Sequence, residues 1–429
     1  MIYTPRLTNR IKYIFSVIFR DILAIDVSFT TDEASYRSYE GPGINYSKQY
    51  MEDSLFFEAT DFLLERGIKG HELSFIDFEG IPALFPVYDK NSLMPFDPFA
   101  ASFYLVARYE EYLPFVRDEY GRFQARNSIA YQHDFLKKPV VNIWALKIYH
   151  LLRKKYPSLP SLKKEYKFLP TIDVNAAYIY KCRGLVRSLG GYIKSIGEFN
   201  FREIIDRTKV MLGLNNDPID TYMSQLEIHK KYELNTIYFI LFADYGYNDM
   251  NISVNNRKFQ VLIKSLADYC EVGIHISYSS IRDHELLKVE LERLSRILNK
   301  EITKARQHFL VLNMPMTYRN LVSLDISDDY SMGYVNLPGF RAGICDSFNF
   351  YDLDMDVKTN LRIHPFAVLD APVSIDNKTL EDFREIIEEV KKVRGTLISL
   401  WNNESLTVDQ DGKNGLQTYE ALVKMAVNT

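Results

Sequence analysis

From about Phe168 onward, short apolar segments alternate with amphipathic ones, and this alternation restricts the fold more than any other feature of the chain. It is typical of parallel strands joined by helices and predicts an α/β fold. The predicted strands are 168–174, 236–242, 271–276, 307–312 and 396–401. The predicted helices are 219–231, 258–269, 285–298 and 379–393.

The first third of the chain has a different pattern. We predict a strand at 23–29, a helix at 51–65, a second helix between Pro98 and Pro114, and a third after Pro139. Six Lys or Arg residues with two prolines make the segment that follows typical of an exposed connector. The predicted organisation is an N-terminal α/β domain of unknown role, a connector and a C-terminal domain, at 1–152, 153–167 and 168–429.

Composition and charge exclude several classes of protein. A hydrophobic share of 47% with 25% charged residues is typical of a folded protein rather than a disordered one. The net charge of −4 gives no general attraction to phosphate backbones, so nucleic acid is not an expected partner. An aromatic share of 14% serves a core or stacks on sugars, and both interpretations stay open.

Cysteine usage and hydropathy indicate the compartment. Cys182, Cys270 and Cys345 are odd in number, far apart and without the paired spacing of zinc ribbons or disulfide scaffolds. No uninterrupted apolar run approaches the roughly 18 residues of a membrane span. The sequence therefore predicts a cytoplasmic protein without a membrane span.

Polar side chains lie near the carboxyl ends of three predicted strands, where the chemistry of a βα barrel is found. By the two-residue period of a strand, Asp173 and Asn175 share one face of the first strand. His275 lies at the end of another, and Arg306 and His308 share a face of a third. We expect these side chains to meet at one rim of the sheet.

Each of these residues also fits a structural role. Asp173 is a good N-cap for the helix that follows it. His275 and His308, taken singly, fit hydrogen-bonded structural histidines. Taken together, beside an aspartate on a neighbouring strand, they fit ligands of Zn²⁺ or a similar ion.

Several segments then carry a family resemblance. They are Thr171-Ile172-Asp173-Val174-Asn175, Gly273-Ile274-His275-Ile276-Ser277-Tyr278, Arg306-Gln307-His308, Tyr330-Ser331-Met332-Gly333-Tyr334, Gly339-Phe340-Arg341-Ala342-Gly343 and Leu400-Trp401-Asn402-Asn403. Their order resembles the polysaccharide deacetylase-like (NodB-homology) family, in particular a Bacteroidetes branch with an uncharacterised N-terminal domain. The run from Pro95 to Pro114 resembles the same branch. The resemblance implies a distorted (β/α) barrel over 168–429, preceded by the smaller α/β domain.

The resemblance also implies a chemistry, the metal-assisted removal of acetyl groups from sugars. Asp173 matches the general base that acts on a metal-bound water, and His275 matches the first metal histidine. The usual second histidine would fall at Ser279, so His308 is the substitute candidate. Arg341 matches the arginine that orients the catalytic aspartate, although a structural ion pair fits it equally well.

Two departures affect this mechanism directly. Asn175 stands where an aspartate ligand is expected, and a neutral amide oxygen is a weaker ligand for a divalent cation. Asn402 stands where a histidine would protonate the leaving group, which an amide cannot do at neutral pH. His364 and Asp370 are possible substitutes. The predicted sugar-binding residues are Tyr278, Tyr334 and Trp401.

The leading hypothesis is a deacetylase-like hydrolase that removes acetyl groups from an amino-sugar polymer or its precursor, with a divalent metal, Zn²⁺ first among candidates. Its catalytic residues are Asp173, Arg341 and Asn402, and its metal ligands are His275, His308 and Asn175. The alternative is a catalytically inactive sugar-binding or glycan-assembly protein on the same fold. The third hypothesis is an interaction scaffold that binds no ligand.

Overall fold

The computed structural model describes residues 1–370, 377–407 and 415–428. Its strands, in chain order, are β1 (Ile2–Tyr3), β2 (Phe29–Thr30), β3 (Ile44–Ser47), β4 (Leu55–Glu58), β5 (Phe75–Phe78), β6 (Ile81–Leu84), β7 (Lys167–Val174), β8 (Ile237–Leu241), β9 (Glu271–Ile276), β10 (Lys304–Gln307), β11 (Asp328–Asp329), β12 (Phe348–Asp352), β13 (Val357–Ile363), β14 (Val368–Leu369) and β15 (Thr396–Asn402). Its helices are α1 (Asn9–Phe15), α2 (Glu33–Arg37), α3 (Pro98–Val106), α4 (Ile129–Gln132), α5 (Val140–Lys155), α6 (Leu185–Gly197), α7 (Phe201–Met211), α8 (Tyr222–Lys231), α9 (Arg257–Ala267), α10 (His284–Leu298), α11 (Met316–Ser323), α12 (Asn377–Lys392) and α13 (Gly415–Val427).

The chain forms two compact units, and segments from its C-terminal half belong to both. Unit 1 consists of Met1–Lys167, Leu312–Ala367 and Glu385–Leu397. Unit 2 consists of Phe168–Val311, Val368–Arg384 and Ile398–Thr429. One boundary between the units falls at the end of the expected connector. The division into domains 1–152 and 168–429 stays a prediction.

Unit 1 contains a small parallel sheet in the order β2-β1-β3-β4 and an antiparallel hairpin of β5 and β6. It also contains β11, β12 and β13, in which β13 pairs antiparallel with β12 and parallel with β11. Helix α3 begins where the Asp97 carboxylate accepts hydrogen bonds from two backbone N–H groups and Pro98 occupies the first turn. Helix α5, predicted after Pro139, is confirmed and buries its Trp144 side.

Two N-terminal predictions were wrong. The expected helix 51–65 is strand β4 followed by a short 3₁₀ turn at Asp61–Leu63. Its apolar spacing suits a helix, but pairing with β3 buries Phe56 and Phe57 on both faces of a strand. Of the expected strand 23–29, only Phe29 belongs to β2, because the π-helix Ser16–Ile22 ends in a turn at Leu23 and residues 24–28 have no regular structure.

Unit 2 is built on strands in the order β10-β9-β8-β7-β15-β14. The neighbours β7 to β10 pair parallel, as do β14 and β15, which confirms the parallel α/β pattern. Helices α8, α9 and α10 confirm predicted helices within a few residues. Among the described strands this row does not close into a ring, so the structure shows a mixed α/β fold and barrel closure stays a prediction.

The sequence predicts a chain without a membrane span. Over the part of the chain that the structure describes, every helix is too short or too polar to cross a bilayer.

Candidate functional site

Strand register brings three of the predicted polar residues to one face of unit 2. Asp173 on β7 lies opposite Phe239 on β8, and Phe239 lies opposite Gly273 on β9. His275, two residues after Gly273, lies opposite Arg306 on β10. Since side chains alternate along a strand and paired residues share a face, all of these side chains are on the same side of the sheet.

A glycine makes room for the central contact of the site. A Cβ atom at position 273 would lie 2.7 Å from the Phe239 ring and 2.7 Å from the carbonyl oxygen of Lys304. The Phe239 ring, in turn, supports the guanidinium of Arg306, whose carbon lies 4.4 Å from the ring centroid. From there Arg306 donates a hydrogen bond from Nη1 to Asp173 Oδ1 at 2.7 Å. The ring and the carboxylate together hold Arg306 in the site.

Burial controls the protonation of this group of residues. Asp173 and Arg306 are both buried. Burial raises the pKa of Asp173 above its ordinary value, and the charges of Arg306 and His308 partly offset that rise. His275 Nε2 lies 3.9 Å from Asp173 Oδ2, and burial, with His308 and Arg306 nearby, lowers the pKa of His275 well below its usual range. His275 is therefore a neutral imidazole at neutral pH.

His308 enters the site through an unusual turn. The expected strand 307–312 was wrong, because β10 ends at Gln307 and a 3₁₀ turn follows. Phe309 and Leu310 have φ angles of 56° and 55°, a left-handed conformation that is uncommon for residues other than glycine. The turn places the His308 ring 4.9 Å from the His275 ring.

The partner of His308 is a carboxylate that sequence reasoning missed. His308 Nδ1 lies 3.0 Å from Asp249 Oδ1. Asp249 also accepts hydrogen bonds from the backbone N–H groups of Tyr278 and Ser279, at 2.8 and 3.0 Å, and from the Ser279 hydroxyl. Burial raises the pKa of Asp249, but these hydrogen bonds outweigh it and leave the pKa below its ordinary value. His308 is thus held by an ionised, fully bonded carboxylate.

The two asparagines at altered positions contact each other. Asn175 Nδ2 donates to Asn402 Oδ1 at 2.8 Å, while Asn402 donates from its backbone N and from Nδ2 to Asp370 at 2.7 and 2.9 Å. Burial raises the pKa of Asp370 to about 7, although hydrogen bonds from Ser405 and Asn402 lower it. Among the described residues, the buried Oδ1 of Asn175 has no hydrogen-bond partner.

Two other predicted residues have partners in unit 1. Arg341 donates from Nε and Nη2 to Glu111, at 2.9 and 2.6 Å, and from Nη1 to the carbonyl oxygen of Gly333. This is the structural ion pair that the sequence left open, and the guanidinium bound to Asp173 is that of Arg306 instead. His364, a possible substitute acid, stacks on a tyrosine ring and bonds to Asp328 at 2.7 Å.

The predicted sugar-stacking residues differ in exposure. Trp401 is 1% exposed and packs edge-on against Tyr419, so it is a core residue without a free ring face. Tyr334 is also buried, and its hydroxyl accepts a hydrogen bond from Arg108. Tyr278 is half-buried at the end of β9. Of the three residues, Tyr278 alone has a surface that a ligand can reach.

A loop after β8 supplies the aromatic surface that the sequence prediction missed. Tyr245 and Tyr247 lie on this loop close to Asp249 in sequence, and Tyr247 is 93% exposed. The signal was present as two tyrosines and an aspartate that follow a predicted strand. Only the bond from Asp249 to His308 shows that this loop borders the site.

The predicted divalent metal does not fit these residues. Across the described residues no group of three or more His, Cys, Asp or Glu side chains is placed to hold a metal ion. The predicted ligands His275, His308 and Asn175 offer only neutral donor atoms, and His308 is already bound to Asp249. The carboxylate of Asp173 is paired with Arg306, whose fixed positive charge would repel a dication.

Comparisons with known proteins found similarity at a low level. A family of unknown function, DUF7033, matches residues 1–157, which is less than half of the chain. No curated protein matches the chain.

Three solved structures illustrate the likeness. A candidate polysaccharide deacetylase from Mycobacterium smegmatis is 14% identical, with a TM-score of 0.40, over 63% of this chain and 87% of its own. An allantoinase is 10% identical, with a TM-score of 0.37, over 63% and 89%. A CE4-family pseudoenzyme from Bacillus anthracis is 12% identical, with a TM-score of 0.29, over 61% and 59%. Similarity this low does not assign a function, and the Bacteroidetes branch stays a prediction.

A buried glutamate beneath the site predicts a pH-dependent stability. Glu290 accepts hydrogen bonds from Ser277 and Ser280, at 2.6 and 3.0 Å, and burial raises its pKa from 4.5 to about 7. The folded state therefore holds a proton that the unfolded state releases between these values. We expect the free energy of unfolding to fall by up to about 3 kcal/mol between pH 4.5 and pH 8.

Denaturant titrations of wild type and Glu290→Gln at several pH values measure this effect. The pH slope should flatten in Glu290→Gln, whereas Glu292→Gln, at an exposed position of the same helix, should keep it. An unchanged slope in Glu290→Gln would mean that Glu290 is ionised in the folded protein at pH 5.

Proposed function

We propose that unit 2 carries a carbohydrate-binding site of the deacetylase type that binds an acetylated amino sugar without hydrolysing it. The observation that supports this is the buried ion pair between Arg306 and Asp173, at 2.7 Å. The positive charge of Arg306 lies beside the Asp173 carboxylate, which the sequence analysis assigned as the base that acts on a metal-bound water. Binding thus needs no cofactor in this proposal.

The lack of a general acid at position 402 also supports binding without hydrolysis. Hydrolysis of an amide requires a proton for the departing amine, and a positioned acid typically contributes about 10²–10⁴-fold in rate. Asn402 cannot supply that proton, and its amide is bound to Asp370 and Asn175. Asp370 has both of its oxygens engaged by Asn402. These contacts favour a site that is rigid and complete without a reacting group.

The groups that remain suit a sugar. Asn175 Oδ1 is a buried acceptor that no described residue bonds to, and an acetamido N–H or a hydroxyl group would satisfy it. Tyr247 presents an open ring face on the loop that carries Asp249, and aromatic rings stack well on the apolar face of a pyranose. The motif resemblance to polysaccharide deacetylases supports an amino sugar as the class of ligand. A cytoplasmic location is part of the same proposal.

The hydrolase remains a second candidate for one reason. Asp173, His275 and His308 meet in the structure, with the histidine rings 4.9 Å apart. A carboxylate with a raised pKa beside two imidazole rings is an arrangement that proton-transfer sites use.

Titration of the full chain with N-acetylglucosamine oligomers tests the proposal. We expect saturable binding, and Tyr247→Ala should weaken it about fivefold through loss of ring stacking, while Tyr247→Phe should keep it. Tyr269→Ala removes another strongly exposed tyrosine, on the turn after α9, and serves as the matched control. Failure of the wild type to bind acetylated amino-sugar oligomers would refute the proposal.

A further inference from the structure

The helical hairpin of α6 and α7 presents its apolar side chains to solvent. On α6, Leu189, Ile193 and Ile196 follow helical spacing and are 62, 71 and 58% exposed. On α7, Phe201 and Ile205 are 64 and 52% exposed. The stripe on each helix is as apolar as one that normally faces a core.

The connections at both ends of α7 extend this surface. Phe199, in the turn between the helices, is 79% exposed, and Leu212 and Leu214, just after α7, are each 70% exposed. We call these residues, with the stripes of α6 and α7, the apolar face of the hairpin. So many exposed apolar side chains within one helical hairpin indicate an interaction site.

Several contacts between the two helices are polar, unlike the apolar contacts that an ordinary surface helix makes with a core. The Tyr192 hydroxyl lies 2.8 Å from the Thr208 hydroxyl between the two helices. Arg207 is buried, its guanidinium lies 5.5 Å from the Tyr192 ring centroid, and Gly191 leaves the space that its side chain occupies. Small and polar groups therefore make part of the contact between the helices, while most of the surface of each apolar stripe stays exposed.

The charge of the hairpin segment indicates the kind of partner that covers the apolar face. Residues 183–214 contain six Lys or Arg and three Asp or Glu, a net charge of +3, in a chain whose total is −4. Lys194, Arg202 and Lys209 are exposed. At 100° per residue, Arg202 and Lys209 lie at the edge of the stripe formed by Phe201 and Ile205. An apolar stripe with basic residues along its border is the pattern of helices that lie in a membrane interface.

We propose that this hairpin docks on the surface of an anionic lipid bilayer, with its apolar face in the boundary between headgroups and acyl chains. The proposal is independent of the sugar site. A second copy of the chain is disfavoured as the occupant, because a two-fold contact through this face would bring two segments of charge +3 together. Anionic headgroups instead attract each nearby Lys or Arg.

Co-sedimentation of the full chain with lipid vesicles tests the proposal. Vesicles of equal parts phosphatidylglycerol and phosphatidylcholine should carry the wild type into the pellet, and pure phosphatidylcholine vesicles should carry much less. The triple variant Leu189→Ser/Ile193→Ser/Phe201→Ser should partition at least about tenfold more weakly. Val261→Ser/Tyr269→Ser removes exposed apolar side chains at α9 and should leave partitioning unchanged.

Charge variants separate the two contributions. Lys194→Gln/Arg202→Gln/Lys209→Gln should weaken binding to the anionic vesicles by more than about tenfold, since each basic residue contributes about fivefold, and should leave binding to neutral vesicles unchanged. Circular dichroism and thermal unfolding verify that each variant is folded. Wild type that stays in solution with both vesicles, or a folded serine variant that still sediments fully, overturns the proposal. A wild-type dimer that becomes a monomer in the serine variant would assign the apolar face to a second copy.

Discussion

Replacement of Arg306 by methionine is expected to lower the free energy of unfolding by about 3–5 kcal/mol. Methionine retains much of the apolar volume over the Phe239 ring but leaves the Asp173 carboxylate buried without its ion-pair partner. Burial already raises the pKa of Asp173, so the loss of the guanidinium removes the largest influence that lowers it. Denaturant-induced unfolding at neutral pH measures the difference.

Two controls make this expectation specific. Arg293 forms an ion pair of similar length with Asp244, at 2.9 Å, but both side chains are partly exposed. Arg293→Met should therefore cost less than about 1 kcal/mol. The double variant Asp173→Asn/Arg306→Met removes both charges and should recover more than half of the loss. A double variant as unstable as Arg306→Met alone would show that the loss reflects packing rather than an unpaired charge.

Replacement of Glu111 by glutamine is the second change for which a large effect is expected, again about 3–5 kcal/mol. In unit 1 the Glu111 carboxylate accepts hydrogen bonds from Arg108 at 2.7 Å and from Arg341 at 2.6 and 2.9 Å. Glutamine would leave two buried guanidinium groups facing a neutral amide. Glu119→Gln, at an exposed position nearby, is the control and should have little effect.

The pH dependence gives this prediction a second readout. Burial raises the pKa of Glu111, but Arg341 and Arg108 more than offset it and hold the pKa at about 2, below its ordinary 4.5. The stability due to ionised Glu111 is thus present above pH 4.5 and is lost as the pH falls toward 2. The difference between wild type and Glu111→Gln should shrink across that window. A difference that stays constant down to pH 2 would contradict the ion-pair account.

Strand periodicity was enough to predict that Asp173 and His275 lie on the same face of the sheet. Each of these two residues lies near the end of its own parallel strand, and the two-residue period places it on the common face. His308 instead reaches the site from the turn after β10. Strand periodicity did not predict that Arg306, rather than Arg341, forms the ion pair with Asp173. That ion pair depends on Phe239 and Gly273, on two intervening strands, which together provide the support for a guanidinium.

Local patterns failed where pairing with distant residues determined the structure. The apolar spacing around residues 55–57 predicted a helix. These residues instead form a buried strand, because β3 supplies a parallel partner. The turn after Gln307 was predicted to continue the strand, because Phe309 and Leu310 are apolar. Nothing in the side chains of these two residues predicts their positive φ angles. Asp249 was missed because its partner His308 is 59 residues away along the chain.

The central claim is that the Arg306–Asp173 site binds an acetylated amino sugar without a metal and without hydrolysis. Calorimetric titration of the wild type with N-acetylglucosamine oligomers, first with excess chelator and then with added Zn²⁺, tests it directly, with acetate assayed in the same samples. We predict the same Kd under both conditions and no acetate release. Binding that disappears with the chelator, or acetate that accumulates with Zn²⁺, would contradict the claim and favour the metal-dependent hydrolase.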